Sequence, residues 1–180
     1  MIFGVDPGVN GSIACRSDTG LFLAYKMPKT DEVLISLIDE LVKEHNTNPE
    51  KKNICFLEKV SGFMGFKDKV IECPSCKKNI VYKAGDPGSR MFVFGENYGS
   101  LKMVFKMKME VNEITPQTWI KALALGKKSQ HKNNNAWKSH LADRARVHYP
   151  GMKVIQQTAD ALLILKYGLF VLRDQYNLPF

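Results

Sequence analysis

The chain opens on a short apolar run, residues 2–6, that stops at Pro7-Gly8, and residues 12–27 add two further apolar stretches broken at Asp18-Thr19-Gly20. Brief apolar runs punctuated by Gly, Pro and Asp predict a strand followed by hairpin-linked strands. The period changes at residue 31: Leu34, Ile38, Leu41 and Val42 recur at the spacing of one helix face over residues 31–45. Ile54-Cys55-Phe56-Leu57 then predicts a short buried strand that ends on Glu58. Residues 61–90 are rich in Gly, Lys and Pro and read as an insertion or mobile loop, bounded at about 63–90, and not as a second domain. A helix resumes after Ser89, with Phe94, Tyr98, Leu101 and Phe105 on one face, while Gly95 and Gly99 sit four apart, where another backbone could approach. Val111–Ile114 predicts a brief strand. Thr115-Pro116 is a helix start, an N-cap followed by proline in the first turn. A polar, basic loop over Lys127–Asn135 leads to a helix containing Trp137, Leu141 and Ala145, and a last apolar helix runs from about Ala159 to Tyr176.

Three strands, helix, strand, helix, strand and further helices predict a single α/β domain over residues 1–180, a mixed sheet with helices on both faces. No run of about 18 apolar residues exists, which argues against a membrane span. The start lacks the basic and long apolar parts of a signal peptide, so the expected location is the cytoplasm (the host's, for a phage product); a removed organelle transit peptide would leave no trace in the sequence.

Charge adds a direction. The net charge is +8, but residues 1–65 hold 7 basic and 9 acidic side chains, whereas residues 102–148 hold 10 basic and 3 acidic. Clustered Lys and Arg gain affinity for a polyanion by releasing phosphate counterions, which makes nucleic acid a candidate partner; a basic surface that only solubilises is the alternative. Lys127, Lys128, Lys132 and Lys138 form a candidate phosphate-binding set.

Cys15 and Cys55 lie in apolar runs and read as buried thiols. Cys73-Pro74-Ser75-Cys76, followed by Lys77-Lys78, has the shape of half a zinc ribbon. A tetrahedral zinc site needs four ligands, and no second CxxC or CxxH pair follows. Sharing of the metal across a dimer, or help from His131 and His140, keeps zinc open; ligand counting favours a metal-free loop.

The acids carry the sharper chemistry. Asp6 and Glu58 each close a predicted strand, and Asp160 sits in the first turn of an otherwise apolar helix. An Asp at a strand end is commonly a turn former, and one at a helix start a partner of the helix dipole. Glu58, after Ile-Cys-Phe-Leu, has neither role. Burying unpaired charge is costly, and a divalent cation is a usual compensation, so the three acids are candidate metal ligands.

Gly4-Val5-Asp6-Pro7-Gly8, Leu57-Glu58, Thr115-Pro116-Gln117-Thr118-Trp119-Ile120-Lys121 and Ala159-Asp160-Ala161-Leu162-Leu163-Ile164 are similar, in order and spacing, to RuvC-type Holliday-junction resolvases. Phe94-Gly95-x-x-Tyr98-Gly99 and Tyr167-Gly168 resemble the phage and chloroplast branch of that family. The resemblance implies an RNase H-like five-stranded mixed sheet and a homodimer that acts on four-way DNA junctions. It implies cleavage of two opposed strands with Mg²⁺ or Mn²⁺, leaving 5′-phosphate and 3′-hydroxyl ends, with Asp6, Glu58 and Asp160 as catalytic metal ligands under two-metal logic. It also implies that the segment after Glu58 meets the junction: Phe63 or Phe66 as a wedge at its centre, Lys59 and Lys67 on phosphates. Packing of a loop is the alternative role for the two phenylalanines. Lys127 or Lys128 could steady transition-state charge.

One position departs from the family pattern. A fourth carboxylate is expected three or four residues before Asp160, where this chain has Gln157 and Gln156. An amide oxygen can bind a hard cation but brings no charge, so affinity for a second ion should fall unless another acid such as Asp143 serves. The rival readings are another RNase H-like nuclease acting on RNA–DNA hybrids or flaps, a catalytically weak junction-binding protein, and a zinc-ribbon adaptor for nucleic acid.

Overall fold

The computed structural model describes residues 1–48, 50–60, 66–85 and 88–176; side chains are described except at 66–69, 82–85, 89–90 and 174–176. The elements follow in the order β1 (Ile2–Asp6), β2 (Ser12–Arg16), β3 (Phe22–Lys26), α1 (Asp31–His45), β4 (Ile54–Glu58), β5 (Phe66–Glu72), β6 (Asn79–Gly85), α2 (Gly88–Lys108), β7 (Glu110–Ile114), α3 (Pro116–Ala122), α4 (Asn134–His148) and α5 (Ala159–Tyr176), with a 3-10 turn at Lys128–Gln130. Five strands make one sheet in the order β3-β2-β1-β4-β7. The first three are antiparallel neighbours, and β4 and β7 extend the sheet in parallel with β1. This is the RNase H-like α/β arrangement.

Side chains alternate across a strand, and here the alternation sorts the core into two layers. Phe3 and Val5 of β1, Ile13 and Cys15 of β2, and Cys55 and Leu57 of β4 face α1 and α2, where they meet Leu34, Ile38, Leu101 and Phe105. Ala14 and Phe56 face the other way, toward Trp119, Leu141 and the run Ala161–Leu165 of α3, α4 and α5. The α5 run is buried on every side because it lies between the sheet and α4. Local signals agree with these elements. The Thr30 hydroxyl accepts from the Val33 N–H at 3.4 Å to start α1, and the Thr115 hydroxyl accepts from Thr118 at 3.3 Å to start α3, with Pro116 in its first turn.

Residues 66–85, within the expected insertion at about 63–90, carry β5 and β6, an antiparallel hairpin that forms a sheet of its own. Their apolar residues come in pairs, Val70-Ile71 and Ile80-Val81, among Lys and Gly, too short a pattern for a strand to be read from sequence.

Among the described residues, no helix is long and apolar enough to cross a membrane. Gly95 and Gly99 are exposed, and nothing lies within 4 Å of a Cβ built at either. Both therefore remain on the open side of α2, together with Phe92 and Met103.

Candidate active site

Strand parity brings the acids together. Asp6 shares the face of Gly4 on β1, and Glu58 shares the face of Phe56 on β4, so both project toward α5 from the ends of adjacent parallel strands. Asp160 comes to the same face from the first turn of α5. The approach is close because Gly4 has no side chain. A Cβ there would lie 2.4 Å from the Leu165 nitrogen and 2.5 Å from the Ala161 oxygen. Gly168 serves likewise, since a Cβ at that position would meet the Phe56 ring at 2.3 Å.

Each acid is held differently. Asp160 is 7% exposed; its Oδ2 accepts from the Lys138 ammonium of α4, and its Oδ1 is buried with no hydrogen-bond partner. Glu58 Oε2 accepts from the indole N–H of Trp119 at 2.8 Å. Burial raises the Glu58 pKa, the Trp119 hydrogen bond works against that, and the Asp160 charge adds to the rise. Asp6 is pushed up to about 8, first by burial and then by Asp160 and Glu58, with Lys138 pulling the other way. Burial disfavours the Lys138 ammonium, but Asp160, then Asp6 and Glu58, more than offset this and carry its pKa above the usual lysine range. The Ser12 hydroxyl, on the residue opposite Asp6 in the β1–β2 register, is also buried without a partner.

Among the described residues, no three His, Cys, Asp or Glu side chains are gathered closely enough to hold a metal ion as they stand. Asp6, Glu58 and Asp160 share one electrostatic field, and Lys138 supplies its positive charge. The donor set nonetheless suits a hard divalent cation: three partly desolvated carboxylates, one with an oxygen that lacks any partner. Gln157 is half-buried in the turn just before α5. Gln156 is tied to α4 instead, through the Asn135 carbonyl and the Ser139 hydroxyl at 3.4 Å each. Asp143 is exposed and paired with Arg146 at 2.5 Å, outside the cluster.

Lys138, expected on phosphates, stands among the acids. Its signal was present in the sequence: Lys138, Leu141, Ala142 and Ala145 follow the core-facing spacing of α4. Trp119 belongs to the Thr115–Lys121 motif, but its role as donor to Glu58 depends on a contact between distant segments that no local pattern reveals.

The remaining basic candidates lie on the segments that follow Glu58 and precede α4. Lys59 is exposed directly after Glu58, and its backbone N–H donates to the Ile114 carbonyl at 2.7 Å. Lys127, Lys128 and Lys132 are exposed on the segment that leads into α4. That segment is pinned by His131, Trp137 and His140, whose rings lie 4.8–5.6 Å apart, and by a 2.9 Å hydrogen bond between His140 and the Leu125 carbonyl. Phe63 lies outside the described residues, as do the side chains of Phe66 and Lys67, whose backbones belong to β5. A cavity of about 250 Å³ lies on the α1/α2 side, lined by Met27, Thr30, Phe94 and Tyr98 and by the loop Pro7–Val9, and none of the three acids lines it.

Cys73 and Cys76 sit at the tip of the β5–β6 hairpin, with no third ligand type gathered round them among the described residues. Cys15 and Cys55 are fully buried, and burial pushes the Cys15 thiol up to about 12. No model of a known protein family matches the chain, and no curated protein matches it either.

Proposed function

We propose that this chain is a divalent-metal-dependent endonuclease that resolves four-way DNA junctions as a homodimer, in the manner of the RuvC-type resolvases its motifs resemble. The observation that carries this reading is the convergence of Asp6, Glu58 and Asp160 on one face of the sheet, with Asp6 raised to about 8 by burial and by the other two acids. Partly buried carboxylates that raise one another's pKa mark a site organised for something other than stability.

Asp6, Glu58 and Asp160 would hold Mg²⁺ or Mn²⁺, which when bound supplies Lewis-acid assistance to phosphodiester hydrolysis. Trp119 fixes the orientation of Glu58, and Lys138 holds Asp160 while offsetting the acids' charge. Lys59, Lys127, Lys128 and Lys132 present positive charge to the DNA backbone around the acids. Gly95, Gly99, Phe92 and Met103 on the open side of α2 offer a surface for a second copy.

The test is incubation of the chain with a labelled four-way junction, the matched duplex and an RNA–DNA hybrid, each with and without Mg²⁺. Paired nicks confined to the junction and dependent on Mg²⁺ are expected. Preferential cutting of the hybrid would move the activity to another RNase H-like nuclease.

A neutral Gln157 where the family pattern places an acid favours a second reading, a junction-binding protein with little activity. Replacing Gln157 with Asp adds charge one turn from Asp160 and should lower the Mg²⁺ concentration for half-maximal cleavage, or create cleavage where there was little. An unchanged or higher requirement in a Mg²⁺ titration would show that position 157 is not the vacant ligand.

A further inference from the structure

The β5–β6 hairpin is not explained by the acid site. Its two strands pack mainly on each other, and an isolated two-stranded hairpin is marginal in water. Val70 pairs with Val81 and Ile71 with Ile80. Successive residues point to opposite faces, so the hairpin is apolar on both. All four side chains are exposed, by 59%, 49%, 46% and 61% for Val70, Ile71, Ile80 and Val81. At the tip the chain closes a tight knuckle: the Cys73 N–H donates to the Lys78 carbonyl and the Lys77 N–H to the Cys73 carbonyl, each at 2.9 Å. Two free cysteines thus share one tight turn on an accessible tip, Cys73 half-buried and Cys76 exposed.

We propose that Cys73 and Cys76 form one half of a tetrathiolate zinc site, completed by the same two cysteines of a second copy of this chain. Zinc requires four ligands, the knuckle supplies two, and among the described residues no other His, Cys, Asp or Glu joins them. A second copy brings an identical pair with identical geometry. Four thiolates on one Zn²⁺ leave a double negative charge, and Lys77 and Lys78 follow Cys76 directly, so two copies place four lysines around it. Lys77 is shared with Glu72, which lies 3.5 Å away. Bringing two tips together also gives the exposed Val and Ile pairs an apolar surface to cover. The hairpin runs almost directly into α2, whose Phe92 and Val93 are exposed by 72% and 52%, so one continuous stretch of chain presents both surfaces. This inference does not rest on the nuclease reading.

The full chain, purified without chelator, is tested by metal analysis and light scattering. The expected result is about one zinc per two chains, absent from a Cys73→Ser/Cys76→Ser chain with unchanged circular dichroism. Loss of zinc should weaken self-association by roughly tenfold or more. Cobalt in place of zinc should give the strong sulfur-to-metal absorption of a tetrathiolate. Cys15 and Cys55 are buried and do not compete. A Cys76→His chain keeps a ligand and should hold metal at the same ratio with a spectrum of fewer thiolates, which preserves the test if the double variant misfolds. One zinc per monomeric chain, zinc that survives the double substitution, or a zinc-free protein with Cys73 and Cys76 free or joined in a disulfide would each overturn the proposal.

Discussion

Asp6 faces the α5 side of the sheet in a place where an isolated carboxylate would rather be neutral. Its pKa near 8 fixes a sign. An unfolded Asp loses its proton near pH 4, whereas folded Asp6 keeps it to about 8, so the folded state binds the proton more tightly. Stability of the metal-free protein should therefore fall as pH rises from about 4 to about 8, and Glu58, also raised, acts in the same direction. Replacing Asp6 with Asn should flatten that profile, raise the metal-free melting temperature at neutral pH by roughly 2–4 °C or more, and remove the stabilisation that Mg²⁺ is expected to confer on the natural chain. Melting curves across pH, with and without Mg²⁺, check all three. Lys138 gives the complementary case. Lys138→Met leaves both Asp160 oxygens without a partner and should cost about 1–3 kcal/mol without metal. Mg²⁺ should then stabilise this variant more than the natural chain, because the ion restores the missing positive charge; an equal shift in both would separate Lys138 from the metal position. At this scale the three acids were legible in the sequence because each interrupts an apolar run at its end. The partners of the acids were less so: the Trp119 hydrogen bond joins residues 61 apart in sequence.

The helix α5 and the strand β1 depend on a missing side chain. Gly4→Ala would put a Cβ 2.4 Å from backbone that cannot swing aside, so α5 must shift away from the sheet and carry Asp160 with it. The expected cost is about 1–3 kcal/mol of stability, together with loss of Mg²⁺-dependent cleavage, measured by denaturant unfolding and nicking of a junction. Gly95→Ala and Gly99→Ala, where a Cβ meets open space within the chain, serve as controls for the fold of the single copy. Helix α1 was readable from periodicity and β4 from its apolar run, because local pattern and tertiary burial agree there. The β5–β6 hairpin was not, since its pairing is carried by backbone hydrogen bonds across residues whose composition resembles a loop.

Across the whole molecule, charge and chemistry are segregated: acids end β1 and β4 and begin α5, while Lys127, Lys128 and Lys132 lie exposed before α4. Under the proposed function, lysines so placed hold the DNA backbone while the acids act on it. The mixed-sheet architecture was legible in the order of strands and helices, because antiparallel hairpins followed by β/α alternation leave few topologies open. The proposed substrate rests on the motif resemblance alone, since neither charge nor fold distinguishes a junction from other nucleic acids. The most direct measurement is a Mg²⁺ titration of strand cleavage in a four-way junction labelled on each strand in turn, for the natural chain and for Asp6→Asn. Mg²⁺-dependent nicks in two opposed strands by the natural chain, and none by Asp6→Asn despite unchanged junction binding, are the expected result. Cleavage that persists in Asp6→Asn, or a natural chain that binds the junction yet never cuts it with Mg²⁺ or Mn²⁺, would contradict the account.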